Sequence, residues 1–279
     1  MTYTLARLTE LDMSLFGALD ALRCNPIADQ ASARKRKSDF RSRNIDRANT
    51  YYLEELVDLR DLGIAGENYY YTPRNPPYWR RIEGAIPDLL VRRSVGDKLI
   101  GINAILGLAE LELYVFDAWR PAAVQTYFHD VWMPAELRGR NPQLTGKALT
   151  EEVERYWAAP SVDESSPAPH ATGAALDLTI RWMGSDQLWM GSIFDDVTEL
   201  AHRDHFEKPD AAALSFSDEE ARANRRLLHW AMSDAGFTGH PDEWWHFSWG
   251  DQLWSALTDS PAAHYGLAER PSTQALSSP

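Results

Sequence analysis

The segment PHATGAALD sets His170 and Asp177 on either side of Gly173, and further along DEWWHF carries Glu243 three residues before His246. Imidazole nitrogens and carboxylate oxygens both bind zinc, and a catalytic zinc keeps three protein ligands and one open position for water. His170, Asp177 and His246 would supply that set. A carboxylate such as Glu243 beside the water could take its proton during attack on a carbonyl and pass it to the leaving amine. The same residues also fit a plainer reading, a polar loop and a hydrogen-bonded aromatic strand. HxxGxAxD is a loose pattern, and its spacing differs from that of the HExxH helix.

The elements around these residues are those of a mixed α/β chain. ALDLTIRW alternates as a strand with Asp177 at its centre, and an aspartate in an apolar strand needs a cation or a donor. LELYVFD reads as a second strand ending near Asp117. DAWRPAAVQTYF turns from that strand into a helix with Pro121 at its first position and Val124, Phe128 and Val131 on one stripe, which leaves Arg120 at the junction. From Leu90, the residues Val91, Val95, Leu99, Ile102 and Leu106 recur at helical spacing. A further helix is expected to open with Ser217 as N-cap and Glu220 as its box partner and to close at Gly236. Glu243 and His246, three apart, would face opposite sides of a straight strand, so the metal reading requires a bend near Trp244.

Composition narrows the function classes. A net charge of -13 over 279 residues argues against a general affinity for nucleic acid, which needs clustered lysine and arginine. The basic run Arg34, Lys35, Arg36 and Lys37 is expected to be a solvated face. The one cysteine, Cys24, cannot form an internal disulfide and is expected to be inert packing. No leader and no apolar run of membrane-spanning length is expected, so the localisation reads as cytoplasmic. His202 and His205, in AHRDH, are expected to be solvated, and the aromatic cluster Trp244, Trp245, Phe247 and Trp249 to be core and pocket wall.

Taken together, DAWRP, HATGAALDLT, MGSIFD and NRRLL…AGF…DEWWHF resemble, in order, the blocks of the D-alanyl-D-alanine dipeptidases of peptidase family M15, the vancomycin-resistance type. The resemblance runs from about Val57 to Gly250. It implies an α+β fold, an antiparallel sheet flanked by helices, of the D-Ala-D-Ala metallopeptidase and hedgehog-like group. It also implies one Zn2+ per chain on His170, Asp177 and His246, Glu243 as general base and Arg120 as the group that stabilises the transition state. Asp195 resembles the acidic residue that meets the free amino terminus of a dipeptide, although a simple loop aspartate is an equal reading of the residue alone. Two departures touch the substrate pocket: Ala168 stands where the family has serine, and DLRDLGIAGENYYY lacks the usual tyrosine near Asp61 to Gly63.

The expected organisation is an N-terminal extension over residues 1–55, a catalytic domain over 56–258 and a loose C-terminal tail over 259–279. The expected function is hydrolysis of a small dipeptide, D-Ala-D-Ala in the family, with no nucleic-acid or membrane partner and a homo-oligomer left open. The competing readings are the same machinery acting on another short peptide or amide, and a zinc-stabilised binding protein without turnover.

Overall fold

The stretch Ala175–Trp182 runs through the middle of a five-stranded sheet, and its residues from Ala175 to Ile180 are buried on both faces. The structure is a computed structural model and describes residues 15–161, 163–208 and 214–270. Helices α1 (Leu15–Cys24) and α2 (Ala31–Lys37) precede strands β1 (Leu56–Asp58), β2 (Ala65–Gly66) and β3 (Leu90–Arg92), helix α3 (Arg93–Leu106) and strand β4 (Leu111–Asp117). Helices α4 (Ala122–Tyr127), α5 (Met133–Arg140) and α6 (Gly146–Tyr156) lead to β5 (Ala175–Trp182). The long helix α7 (Phe216–Asp234), strands β6 (Thr238–Gly239) and β7 (His246–Ser248) and helix α8 (Gln252–Thr258) follow.

The main sheet has the order β2-β4-β5-β7-β6, and β1 pairs with β3 in a separate ribbon. Three of its pairings are antiparallel, but β2 runs parallel to β4, so the sheet is mixed and not purely antiparallel as expected. The chain from β2 to β4 passes through β3 and α3, a connection long enough to return it in the same direction.

Several local expectations shift for physical reasons. Leu90–Arg92 is strand and not the first turn of a helix, because its backbone pairs with Leu56–Asp58; the apolar stripe alone could not separate the two. Helix α7 is capped by Ser215, whose side chain accepts from Asp218 N while Asp218 accepts from Ser215 N. The box therefore lies two residues before the expected Ser217 and Glu220. Gly236 ends the helix in a left-handed conformation as expected. Val124 and Phe128 are buried, but Val131 is 56% exposed. A π-helical turn at Phe128–Trp132 widens the helix and rotates the stripe, so that Met133 faces the core instead.

The first 55 residues are tied to the body wherever they are described. Helix α1 packs on α7 with Leu19 and Leu22 buried, and α2 packs on α8. The basic run is not a uniformly solvated face. Arg34 and Lys37, one helical turn apart, reach the buried carboxylates of Asp204 and Asp242, while Lys35 is exposed. Cys24 is exposed and does not pack as expected. The expected tail is also held up to residue 270. Ala263, Tyr265 and Ala268 are buried because Ala263 exchanges backbone hydrogen bonds with Asn44 and Asp46, and Ala268 N donates to Ala171 O. Residues 271–279 lie outside the described residues. No helix among the described residues is long and apolar enough to cross a membrane.

Candidate metal centre and its cavity

Three adjacent strands bring a row of polar side chains to one end of the sheet. Asp177 on β5 stands opposite His246 on β7 and opposite Asp117 on β4, and residues directly opposite in an antiparallel ladder share a face. The β4 register shifts between Val115 and Asp117, and this bulge turns Asp117 into the row. Two facing carboxylates would repel. Arg120, just past the end of β4, lies against both: Nε donates to Asp117 Oδ2 at 2.8 Å and Nη2 to Asp177 Oδ2 at 3.1 Å.

His170 arrives on the 3-10 turn Pro169–Thr172, which ends at Gly173. Gly173 has a φ of +70°, a conformation that favours glycine, and a Cβ there would also have to push aside Leu56 Cδ2, 2.3 Å away. His170 Nδ1 lies 2.8 Å from the carbonyl of Ala118. A carbonyl only accepts, so Nδ1 carries the ring hydrogen and Nε2 keeps its lone pair. At His246 the opposite nitrogen is free. Its Nε2 lies 3.4 Å from Ser248 Oγ, whose own hydrogen goes to Asp251 Oδ2 at 2.8 Å; the hydroxyl accepts from Nε2–H and Nδ1 is left with a lone pair.

These two lone-pair nitrogens, His170 Nε2 and His246 Nδ1, are 3.1 Å apart and cannot hydrogen-bond to each other. Asp177 Oδ1 is 3.1 Å from His246 Nδ1, and this buried oxygen has no hydrogen-bond partner among the described residues. Three acceptors facing one point need a cation. Zinc bonds of 2.0–2.1 Å at tetrahedral angles put ligand atoms about 3.3 Å apart, close to the observed spacings. The three residues offer ligand atoms all within 4.8 Å of one another, and the donor set fits zinc.

Electrostatics agree. Burial lowers the His246 pKa to about 4, against the opposing pull of Asp177, so the ring is neutral as a ligand must be.

Glu243 sits just before β7, where the backbone bends at Trp244 and Trp245. That bend resolves the three-residue offset, and Glu243 Oε2 comes to 3.7 Å from His246 Nδ1. Burial, and then the charge of Asp177, raise the Glu243 pKa well above the ordinary value. Asp195 lies in the same cavity with a φ of +58°, and its Oδ2 accepts from the hydroxyls of Tyr70 and Tyr78, each at 2.9 Å. Arg120 Nη2 also reaches Tyr70 OH, at 3.3 Å. All six site residues expected from the sequence therefore face one cavity, whose lining includes Arg120, His170, Asp177, Asp195, Glu243 and His246. The space open to the centre of a water molecule is only about 60 Å³.

The sequence did not reveal four further residues here. Tyr70 and Tyr78 come from an aromatic loop whose reach depends on the fold. His240 Nδ1 lies 3.6 Å from Glu243 Oε1. Lys37 lines the cavity from helix α2. His202, expected to be solvated, is 3% exposed and meets Arg155 Nη2 through Nε2 at 3.0 Å, because Arg225 and Trp244 fasten to the surrounding loop. Arg225 Nη1 donates to His202 O, and Trp244 N to Ala201 O.

A buried two-histidine, one-carboxylate set with a neighbouring glutamate on a mixed sheet is a candidate metal centre with a group beside it that could move a proton. The comparisons give the family. Residues 84–265 match Peptidase_M15, described as D-ala-D-ala dipeptidase. The chain is 37% identical over 167 residues to a D-alanyl-D-alanine dipeptidase of Synechocystis, an alignment covering 55% of this chain and 67% of that protein. It is 31% identical over 144 residues to the Escherichia coli protein of that name, covering 52% and 58%. With the Enterococcus faecium protein it shares 29% identity over 208 residues, covering 72% and 91%. The chain belongs to the M15 peptidase family and is an enzyme, which sets aside a binding protein without turnover.

Proposed function

We propose that this protein is a zinc dipeptidase that hydrolyses D-Ala-D-Ala. The observation that carries the reading is the convergence of two imidazole lone pairs and the unpartnered Asp177 Oδ1 on one point beside Glu243. The relatives named as D-alanyl-D-alanine dipeptidases support the substrate. In this reading residues 56–258 carry the catalytic machinery and the preceding segment braces it.

The ion held by His170, Asp177 and His246 would acidify water and polarise the scissile carbonyl. Glu243 takes the proton of the attacking water and delivers it to the leaving amine; a buried carboxylate with a raised pKa suits both transfers. Arg120 faces the oxygen on which negative charge collects. Its guanidinium is pre-positioned by Asp117, Asp177, Gln125 and Tyr70, so little reorganisation is needed as the charge forms. Asp195 receives the substrate's ammonium. The narrow cavity favours a substrate of two small residues.

A second reading keeps the machinery and changes the substrate to another short peptide or amide. Ala168 and Pro169 line the cavity and offer no side-chain donor. Metal analysis and a panel of D,D-, L,D- and L,L-dipeptides decide between them. One equivalent of zinc and a strong preference for D-Ala-D-Ala are expected; preference for another peptide favours the second reading, and failure to bind zinc or cleave any peptide defeats both.

A further inference from the structure

Resting on the dipeptidase reading, we propose that Lys37 is a specificity residue that receives the free carboxylate of the dipeptide. A dipeptide is a zwitterion, and a cavity that selects it needs an anion for one end and a cation for the other. Asp195 supplies the anion. Three cationic side chains line the cavity among the described residues: Lys37, Arg120 and Arg155.

Arg120 is already held by Asp117, Gln125, Tyr70 and Asp177, on the Asp195 side. Arg155 is more open, its side chain 36% exposed against 14% for Lys37, and it is engaged by His202 and Glu152. Lys37 is the deeper cation. Its ammonium has three N–H groups and two acceptors, Arg155 O at 2.5 Å and Asp242 Oδ2 at 3.1 Å. Asp242 is shared with Arg34 Nε at 2.7 Å, so it does not belong to the lysine alone. One N–H remains for the cavity.

Placement agrees with the assignment. Contacts run from Asp195 through Tyr70 and Arg120 to Asp177, then through His246 to Glu243. Lys37 is held at the far end of that series by Asp242, next to Glu243. A dipeptide carries its amine and its carboxylate at opposite ends with the scissile bond between them, the order in which Asp195, the triad and Lys37 follow one another along this series. Burial lowers the Lys37 pKa, against the pull of Asp242 and Glu243, and an arriving carboxylate would add to that pull. Lys37 lies outside the stretch 84–265 that matches the family. The outer recess lined by Lys37, Phe40, Glu154, Arg155 and Ala158 opens onto it, so α2 and the residues after it form one wall of the mouth.

The test compares the zinc-loaded protein with Lys37→Gln and Lys37→Arg on D-Ala-D-Ala and on its C-terminal amide. Unaltered protein should prefer the acid. A hydrogen bond to a charged group corresponds to roughly a 10- to 100-fold effect, so Lys37→Gln should lose about that much kcat/KM on the acid, mainly through KM. On the amide it should change less than about threefold, and Lys37→Arg should recover part of the preference. Calorimetric titration of Glu243→Gln with both compounds should show the same preference in binding. Equal losses on acid and amide would make Lys37 a mere prop for Asp242 and overturn the proposal, with the dipeptidase reading intact. Hydrolysis of neither compound overturns that reading and this one together. Should Lys37→Gln fail to fold, an acid-to-amide preference of less than about threefold in the unaltered protein overturns the assignment, and a larger one supports it.

Discussion

Ser248 lies two residues beyond His246 on the same strand, and its hydroxyl sits 3.4 Å from His246 Nε2 while donating to Asp251 at 2.8 Å. Alternate residues of a strand share a face, so the sequence HFS is enough to bring the hydroxyl to the ring. Asp251 is in turn fixed by capping helix α8, where its carboxylate accepts from Trp254 N at 2.7 Å. The helix cap, the serine and His246 form one polar chain that selects which ring nitrogen faces the candidate metal site. His170 gets the same service from a backbone carbonyl, that of Ala118.

Ser248→Ala removes the acceptor for Nε2–H and frees the ring to change tautomer. Losing such an outer partner typically weakens metal binding about 10- to 100-fold. Competition with a zinc chelator at fixed pH measures this. A chelator midpoint indistinguishable from that of the unaltered protein would show that Ser248 does not set the tautomer.

Glu243→Gln keeps the size and the neighbours of the side chain and removes its ability to accept a proton. We expect hydrolysis to fall by about 10²- to 10⁴-fold while the variant still binds one equivalent of zinc, because Glu243 is outside the ligand triad. Single-turnover assays beside metal analysis test the pair of outcomes. Loss of zinc together with activity would instead make Glu243 a ligand.

The site was more legible than the scaffold that holds it. His170, Asp177, Glu243 and His246 sit in short segments whose local geometry, a turn closing at glycine and a bend before a strand, follows from neighbouring residues. Arg120 was placed correctly at a strand end, but its four acceptors come from four separate places in the chain. Tyr70, Tyr78 and Lys37 could not be read, because their roles depend on contacts set only by the tertiary fold: Tyr70 meets Asp195 across 125 residues, and Lys37 meets Asp242 across 205. A basic run at helical spacing looks like a solvated face until two buried carboxylates arrive against it. Likewise Leu90 and Val91 satisfy a helical stripe and a strand equally, and only pairing with Leu56–Asp58 decides.

Arg34 holds two buried carboxylates at once, Asp204 Oδ1 and Asp242 Oδ1, each at 2.7 Å. Arg34→Met leaves both without that partner, although Lys37 still reaches Asp242. Breaking a fully buried pair costs roughly 3–5 kcal/mol; Arg34 keeps part of its side chain in water, so about 2 kcal/mol of destabilisation is expected after screening. The denaturant midpoint measures it. Because Asp242 precedes Glu243, activity should fall along with stability, and an unchanged midpoint would show that α2 is not a brace.

Asp195 gives the metal-free protein a pH dependence of definite sign. Burial, and next the charge of Asp177, raise its pKa to about 8, against the opposing pull of Arg120 and the two tyrosine hydroxyls. Unfolded, the carboxyl ionises near its ordinary value of about 4. Between those values the unfolded chain has released the proton and the folded chain still holds it, so stability falls as pH rises through that window. Asp195→Asn cannot ionise and should flatten the decline, leaving the variant the more stable of the two at pH 8. Urea midpoints of both metal-free proteins from pH 4 to pH 8 test this; parallel curves would mean that Asp195 is ionised in the folded state throughout. With zinc bound, the added positive charge favours the carboxylate, so the difference between the two proteins should shrink, while Asp195→Asn should cost activity on dipeptides with a free amino terminus.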